Sequence, residues 1–307
     1  MVSYVAGCLE DERFLRDTMH RLDLPSFFNF MITIMQHQSL TVSIPVLHLW
    51  SRLLAIQKIG SSEYVVSQTP NFLNICTQRL IRWESLPVES DDPTVLFLVD
   101  DIDTIPERHA FVGNYRRYCS SIIESITQKR PQEAVREILG KVDDNLANLY
   151  SGVEPFSMRS FTKSSIPLMR ADAQFAVVEA VIKGYHKWIE AHGKAPQEDE
   201  QERRGLEFAI EGWASSLMHR NYEDPVMKQR IIKLVVDISS RALDNNPAFA
   251  LKVLEHVLMT RLPDQPEFPV YAEAVKELHG LASHELRRLA IRYADYFSVG
   301  APWDFSR

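Results

Sequence analysis

Apolar positions recur at helical spacing along most of the chain, and the clearest case lies between Phe111 and Leu149. Apolar residues repeat every three or four positions in each half of this stretch, as on one face of a helix. The two sets are Phe111, Tyr115, Tyr118, Ile122 and Ile126, then Val135, Ile138, Val142, Leu146 and Leu149. Pro131 separates them, and proline fits the first turn of a helix but breaks an interior turn. The pattern predicts two helices with a boundary at Pro131.

The same alternation of helical stripes and proline boundaries continues on both sides of this pair. Asp224-Pro225 and Asn246-Pro247 each place a capping side chain before a first-turn proline. Ser283 is predicted to cap a separate last helix. The clusters of alternating Val, Ile and Thr that are typical of strands are nearly absent. The chain is therefore predicted to be all-α: a single continuous α-solenoid of HEAT or ARM type over residues 1–307, with about six antiparallel helix pairs.

Two stretches interrupt this periodicity. Residues near 87–106 form an acidic insertion, with a short apolar helix or strand inside it. Residues near 151–170 combine Gly, Pro, Ser and Thr without a helical period, so they are predicted to form a loop that crosses from one repeat to the next.

Composition and charge narrow the class of protein. The formal net charge of −7 argues against a general nucleic-acid coat, although it leaves a local basic face open. Cys8, Cys76 and Cys119 are far apart and lack ligand spacing, which favours reduced thiols in the cytosol or nucleus. The first residues lack a secretory signal, and no apolar run reaches the roughly 20 residues that span a bilayer. We expect a protein that does not insert into membranes.

The aspartates at positions 100, 101 and 103 are the first candidate site. Clustered carboxylates can bind a divalent cation, and an enzyme would have to combine Asp100, Asp101 and Asp103 with His109. Proteins that use such a triplet for metal-dependent transfer hold it on parallel strands, which this sequence does not predict. A contact patch for a partner with a basic face is the favoured interpretation. We predict no catalytic, metal or cofactor site.

Paired basic residues are the second candidate, because a basic surface could meet phosphates of a partner. The alternative is a solvated face on which nearby glutamates compensate the charge, as around Arg136. The pairs are Arg116-Arg117, Lys129-Arg130, Arg203-Arg204 and Arg287-Arg288. The first two pairs, together with the aspartates, are the predicted partner contacts.

Two segments of the chain resemble a known family. They are the run from Phe97 to Asp103, continued through Tyr115-Arg116-Arg117-Tyr118 and residues 131–146, and the run from Leu40 to Trp50. Both are similar to the middle region of exportin-5-type karyopherins. The resemblance implies a HEAT superhelix of the importin-β superfamily that shuttles between nucleus and cytoplasm. It also implies that the receptor binds cargo, a protein or a structured RNA, together with the GTP form of the Ran GTPase, and that it contacts nucleoporins.

The resemblance assigns no individual contact residue, and the family's members are much longer than this chain. We therefore expect a middle section or fragment of such a receptor. A cut solenoid leaves apolar faces uncovered, so self-association is expected through Phe27–Met35 and Leu289–Phe297. A different HEAT scaffold, such as a regulatory subunit or an assembly platform, is the alternative function.

Overall fold

The computed structural model describes residues 7–9, 11, 21, 23–86, 90–192, 197–263 and 265–294. Within these ranges the secondary structure is helical and no strand occurs, which confirms the predicted all-helical class. The α-helices are α1 Leu24–Met35, α2 Leu40–Leu53, α3 Gln57–Gly60, α4 Glu63–Ser67, α5 Thr69–Gln78, α6 Pro93–Asp101, α7 Ile105–Lys129, α8 Pro131–Ala147, α9 Ile166–His192, α10 Gln197–His219, α11 Pro225–Arg241, α12 Pro247–Met259 and α13 Pro269–Arg292. Short 3₁₀ turns lie at Trp83–Ser85 and Met158–Ser160.

Local capping chemistry explains where several helices begin. Pro131 is the first residue of α8, as predicted, and Arg130 alone separates it from the end of α7. Asp224 accepts hydrogen bonds from the backbone N–H groups of Val226 (2.8 Å) and Met227 (3.1 Å) at the start of α11. Asn246 accepts one from Phe249 (2.9 Å) at the start of α12. The cap followed by proline fixes a helix start through interactions among immediate neighbours.

The predicted break at Ser283 is wrong. Helix α13 runs without interruption from Pro269 to Arg292, and Ser283 lies inside it. The Ser283 hydroxyl donates to the carbonyl oxygen of His279, four residues earlier, at 2.9 Å. A serine can bond to the helix that contains it as readily as it can cap a new one, and no proline follows to force a break.

The two stretches predicted to interrupt the helical periodicity, near 87–106 and near 151–170, both contain helical residues. Helix α6 occupies 93–101 within the predicted acidic insertion, whose residues 87–89 lie outside the described ranges. Helix α9 begins at Ile166, so the end of the 151–170 stretch is also helical. The single continuous array over residues 1–307 stays a prediction.

The chain divides into two compact units. The first comprises Met1–Leu149 with Met169–His192, and the second comprises Tyr150–Leu168 with Gly193–Arg307. In the first unit α7 packs against α2, α5 and α8. Its core includes fully buried Trp50, whose ring centroid lies 5.1 Å from that of Phe28 and 4.6 Å from that of Phe72.

In the second unit α13 packs against α11 and α12. Residues 150–168 add an aromatic cluster to this unit, since the Phe161 ring meets the Tyr271 ring edge-on at 5.6 Å. Lys163 forms an ion pair with Glu277 at 2.8 Å on the surface of α13. Part of the stretch predicted as a crossing loop, up to Leu168, therefore packs on α13 within the second unit.

No helix in the described ranges is both long enough and apolar enough to cross a membrane.

Within the first unit α9 approaches α7 closely at Gly184. A Cβ atom added to Gly184 would lie 2.5 Å from the carbonyl oxygen of Glu124 and 2.7 Å from the Cβ atom of Thr127. Lys187, one turn further along α9, forms an ion pair with the Glu124 side chain. The absence of a side chain at position 184 therefore sets the distance between these two helices.

We predict that Gly184→Ala destabilises the protein. Alanine favours a helix interior by about 1 kcal/mol over glycine, but overpacking against a backbone carbonyl typically costs about 1–3 kcal/mol. Gly140→Ala is the matched control, since Gly140 is exposed in α8 and nothing lies within 4 Å of its added Cβ. It should stabilise by about 0.5–1 kcal/mol. Urea unfolding measures both, and equal gains would contradict the close approach.

Candidate partner-contact surfaces

The aspartates of the acidic segment differ in what they contact. Asp101, the last residue of α6, accepts hydrogen bonds on Oδ2 from the hydroxyls of Ser39 (2.9 Å) and Thr41 (2.5 Å). Ser39 is the N-cap of α2, so the Asp101 carboxylate lies at the positive end of that helix. Asp101 therefore joins the end of α6 to the start of α2.

Asp100 and Asp103 are exposed, and neither side chain has a hydrogen bond or ion pair with any other described residue. The link between α6 and α7 is held instead by Arg108, which sequence analysis did not single out. Its guanidinium donates to the carbonyl oxygens of Ile102 (2.7 Å), Asp103 (3.1 Å) and Val99 (3.3 Å). Asp100 and Asp103 therefore remain available to a partner, while Arg108 holds the backbone that carries them.

The start of α7 is fixed as well. The backbone N–H of Glu107 donates to the Thr104 hydroxyl at 3.4 Å, and that hydroxyl donates to the Glu107 carboxylate at 2.7 Å. The Thr104 hydroxyl is thus the N-cap acceptor of α7, and it satisfies one free backbone donor at the helix start. His109, the histidine that an enzyme site would have needed, lies 3.4 Å from the Glu84 carboxylate. Across the described residues, no group of three or more His, Cys, Asp or Glu side chains could hold a metal ion.

In the pair Arg116-Arg117 the two side chains have different environments. The Nε atom of Arg116 donates to the carbonyl oxygen of Leu80 at 2.8 Å, just beyond the end of α5. Burial lowers the pKa of Arg116 from its usual value, and the nearby Arg82 charge acts in the same direction. Arg117 is exposed, with its guanidinium 5.4 Å from the centre of the Tyr118 ring. Arg117 therefore presents its charge to solvent more fully than Arg116 does.

The side chains of Lys129 and Arg130 also contact different groups. The Lys129 ammonium donates to the carbonyl oxygen of Leu54, the C-cap of α2, at 2.5 Å. It occupies the space left by Gly60, since a Cβ atom added there would lie 2.4 Å from the Lys129 Nζ atom. Burial lowers the pKa of Lys129, with a smaller effect from the adjacent Arg130 charge. Arg130 lies 3.6 Å from the Glu133 carboxylate.

The remaining basic pairs have acidic neighbours along their own helices. Arg203 lies 3.4 Å from Glu207, and Arg204 lies 2.5 Å from Glu200. Arg288 contacts the buried Glu285 at 3.1 Å. These contacts agree with the alternative of compensated charge on a helix surface.

A cavity in the second unit was not found by sequence analysis. It lies between α10 and α12 and has a volume of about 460 Å³. Its lining combines apolar and ionisable side chains: Ser215, Met218, His219, Lys252, Glu255, His256 and Met259. Burial, together with the nearby charges of Lys228 and His219, lowers the pKa of His256 to about 4. The lining residues come from two helices, and their spacing on each is ordinary, so the sequence gives no signal for the cavity.

Comparison with known proteins identifies a family and a relative. The model of the Exportin-5 family matches residues 8–293 of the chain. Uncharacterized protein C328.01c of Schizosaccharomyces pombe is 27% identical over 241 residues. This alignment covers 76% of the present chain and 19% of the yeast protein, so the chain corresponds to a small part of that relative's length.

We predict that Arg116→Met destabilises the protein by about 1–3 kcal/mol, the usual cost of leaving a buried polar group unpaired. The Leu80 carbonyl loses its donor, while the methionine keeps most of the aliphatic contact. The adjacent Arg117→Met should change stability by less than about 1 kcal/mol, because an exposed cation near a ring contributes little. Urea unfolding of the two variants side by side tests this. Equal effects would show that the bond to Leu80 does not stabilise the fold.

We also predict that acid weakens the fold partly through His256. Its pKa is near 6.5 in an unfolded chain and about 4 in the folded protein. The unfolded state therefore binds more protons between these values, and stability is lost as pH falls from about 6.5 to about 4. His256→Gln should show a smaller loss of unfolding free energy between pH 7 and pH 5. Above pH 7.5 both proteins should change in parallel. If both proteins lose the same unfolding free energy between pH 7 and pH 5, His256 does not cause the loss of stability in acid.

Proposed function

Because the chain belongs to the Exportin-5 family, we propose that it is a section of a nuclear export receptor that binds macromolecules and carries out no chemistry. The observation that carries the proposal is the extent of the family match, over residues 8–293. The all-helical secondary structure of the described residues supports it, because transport receptors of this family are built from helical repeats.

We propose that the helices form antiparallel HEAT pairs in a superhelix. The short links support this arrangement: Arg130 alone separates α7 from α8, and these two helices pack against each other. A short link between two helices that pack against each other supports a helical hairpin. Stacked hairpins expose long surfaces, which suit binding to large partners.

The proposed partners are the Ran GTPase in its GTP form, cargo that is either protein or structured RNA, and nucleoporins. The receptor would then shuttle between nucleus and cytoplasm. Among the candidate contact residues, Asp100, Asp103 and Arg117 support partner binding best, since their charged groups are exposed. Asp101, Arg116 and Lys129 bond within the fold, and Arg130 lies beside Glu133.

The nucleotide state of Ran tests the proposal. The chain matches only 19% of its yeast relative, so the intact protein that contains it should be immobilised. Ran loaded with GDP or with a non-hydrolysable GTP analogue is then applied. We expect at least about tenfold tighter binding of the GTP form, a difference of about 1.4 kcal/mol.

Equal binding of the two forms, or binding of neither, would contradict an export receptor. Partner capture that does not depend on Ran would instead favour the HEAT scaffold.

A further inference from the structure

Helix α6 has an exposed face that is apolar. Its buried positions are Thr94, Val95 and Leu98, which face the rest of the first unit. On the opposite side Leu96 is 54% exposed and Phe97 is 40% exposed, and Asp100 follows one turn later. A solvated helix normally presents polar residues on its outer side. We call Leu96, Phe97 and Asp100 the α6 face.

Exposed apolar side chains also occur at the starts of α7 and α2. Ile105, two residues beyond Asp103, is 62% exposed at the start of α7. Val42 in the first turn of α2 is 49% exposed, next to the Thr41 hydroxyl that bonds to Asp101. Single exposed apolar residues are ordinary, but several of them on elements that adjoin in sequence or in packing, beside acidic residues, favour an interaction site.

The α6 face is held in place before any partner arrives. The Phe97 ring lies 5.8 Å from the His37 ring, and the His37 Nδ1 atom accepts a hydrogen bond from the Ser39 N–H at 3.0 Å. Asp101 and Arg108 fix the two ends of the link that follows. A partner would therefore spend little free energy on ordering this surface.

The charge beside the α6 face is negative. From position 100 to 108 the carboxylates of Asp100, Asp101, Asp103 and Glu107 outnumber the single guanidinium of Arg108. That guanidinium is directed at backbone carbonyls, whereas Asp100 and Asp103 have no side-chain partner among the described residues. A complementary surface combines apolar side chains with Lys or Arg.

We propose that the α6 face, with Ile105 and Asp103 beside it, is a docking surface for an amphipathic helix of a partner protein that carries Lys or Arg next to its apolar stripe. A helix presents apolar side chains at i and i+4, which suits the adjacent Leu96 and Phe97 on α6 and Ile105 at the start of the next helix. Strand addition needs an open sheet edge, and the described ranges contain no sheet. The inference goes beyond the transport role, since it concerns this surface alone and does not depend on the nucleotide bound to Ran.

Selection of peptides on the full 307-residue chain tests the proposal. The probe is a displayed library of random peptides of about 16 residues, enough for about four helical turns. Enriched peptides are synthesised, and their affinities are measured by fluorescence anisotropy. We expect sequences with apolar residues at helical spacing and an excess of Lys and Arg.

Four variants locate the binding. Phe97→Ala should weaken the enriched peptides about tenfold, as for an aromatic interface residue. Phe208→Ala is its matched control, since Phe208 is an 80% exposed aromatic residue in α10, and it should have no effect. Asp100→Asn should weaken binding about two- to fivefold at low salt, and less at high salt. Asp144→Asn, at an exposed position in α8, should not weaken it.

Each other outcome overturns the proposal. No enriched peptide, enriched peptides without basic residues, or an equal loss in Phe97→Ala and Phe208→Ala would each do so. Asp100→Asn guards against misfolding as an explanation, because its side chain has no bond to lose among the described residues. If light scattering shows dimers that dissociate in Phe97→Ala, the α6 face is covered by a second copy and the partner helix is rejected.

Discussion

Cationic side chains that bond to the carbonyl groups at helix ends are the interaction on which this fold depends. The last turn of every helix leaves carbonyls without intrahelical donors, and in a compact helical protein many of these ends lie away from water. Lysine and arginine satisfy them and also complement the negative end of the helix dipole. The donors and acceptors are Arg79 with Gln36 and His37, Arg116 with Leu80, Lys129 with Leu54, Arg170 with Leu149, and Arg292 with Ser240.

Hydroxyl, amide and carboxylate groups have the corresponding role at helix starts. Ser39, Thr104 and Asp224 each accept hydrogen bonds from the first turn of a helix. Asp101 reaches the start of α2 from another helix through two hydroxyls. Many charged groups of the chain are thus used at its own helix ends, so a count of basic or acidic residues overstates the charge that a partner would meet.

The bonding of charged groups to helix ends within the chain explains which features could be predicted from the sequence. The starts of α11 and α12 depend on a first-turn proline and a neighbouring side-chain cap, and the start of α8 depends on a first-turn proline, so all three follow from a few adjacent residues. The roles of Arg116 and Lys129 could not be predicted in this way, because their acceptors lie 36 and 75 residues away. The prediction at Ser283 was wrong for a different reason. Capping a new helix and bonding to the helix that contains it are both local roles of a serine, and the sequence does not select between them.

The contact between Gly60 and Lys129 constrains the order in which the two positions can change. A side chain at position 60 would meet the Leu54 carbonyl oxygen at 2.6 Å as well as the lysine ammonium. Replacing Lys129 removes one obstacle and leaves the backbone of α2 as the other. The glycine is therefore the more constrained of the two, and among diverging relatives the lysine should be lost first. A change at position 129 does not make room for a side chain at position 60, because the flexible end of the lysine can move aside and the Leu54 carbonyl oxygen cannot.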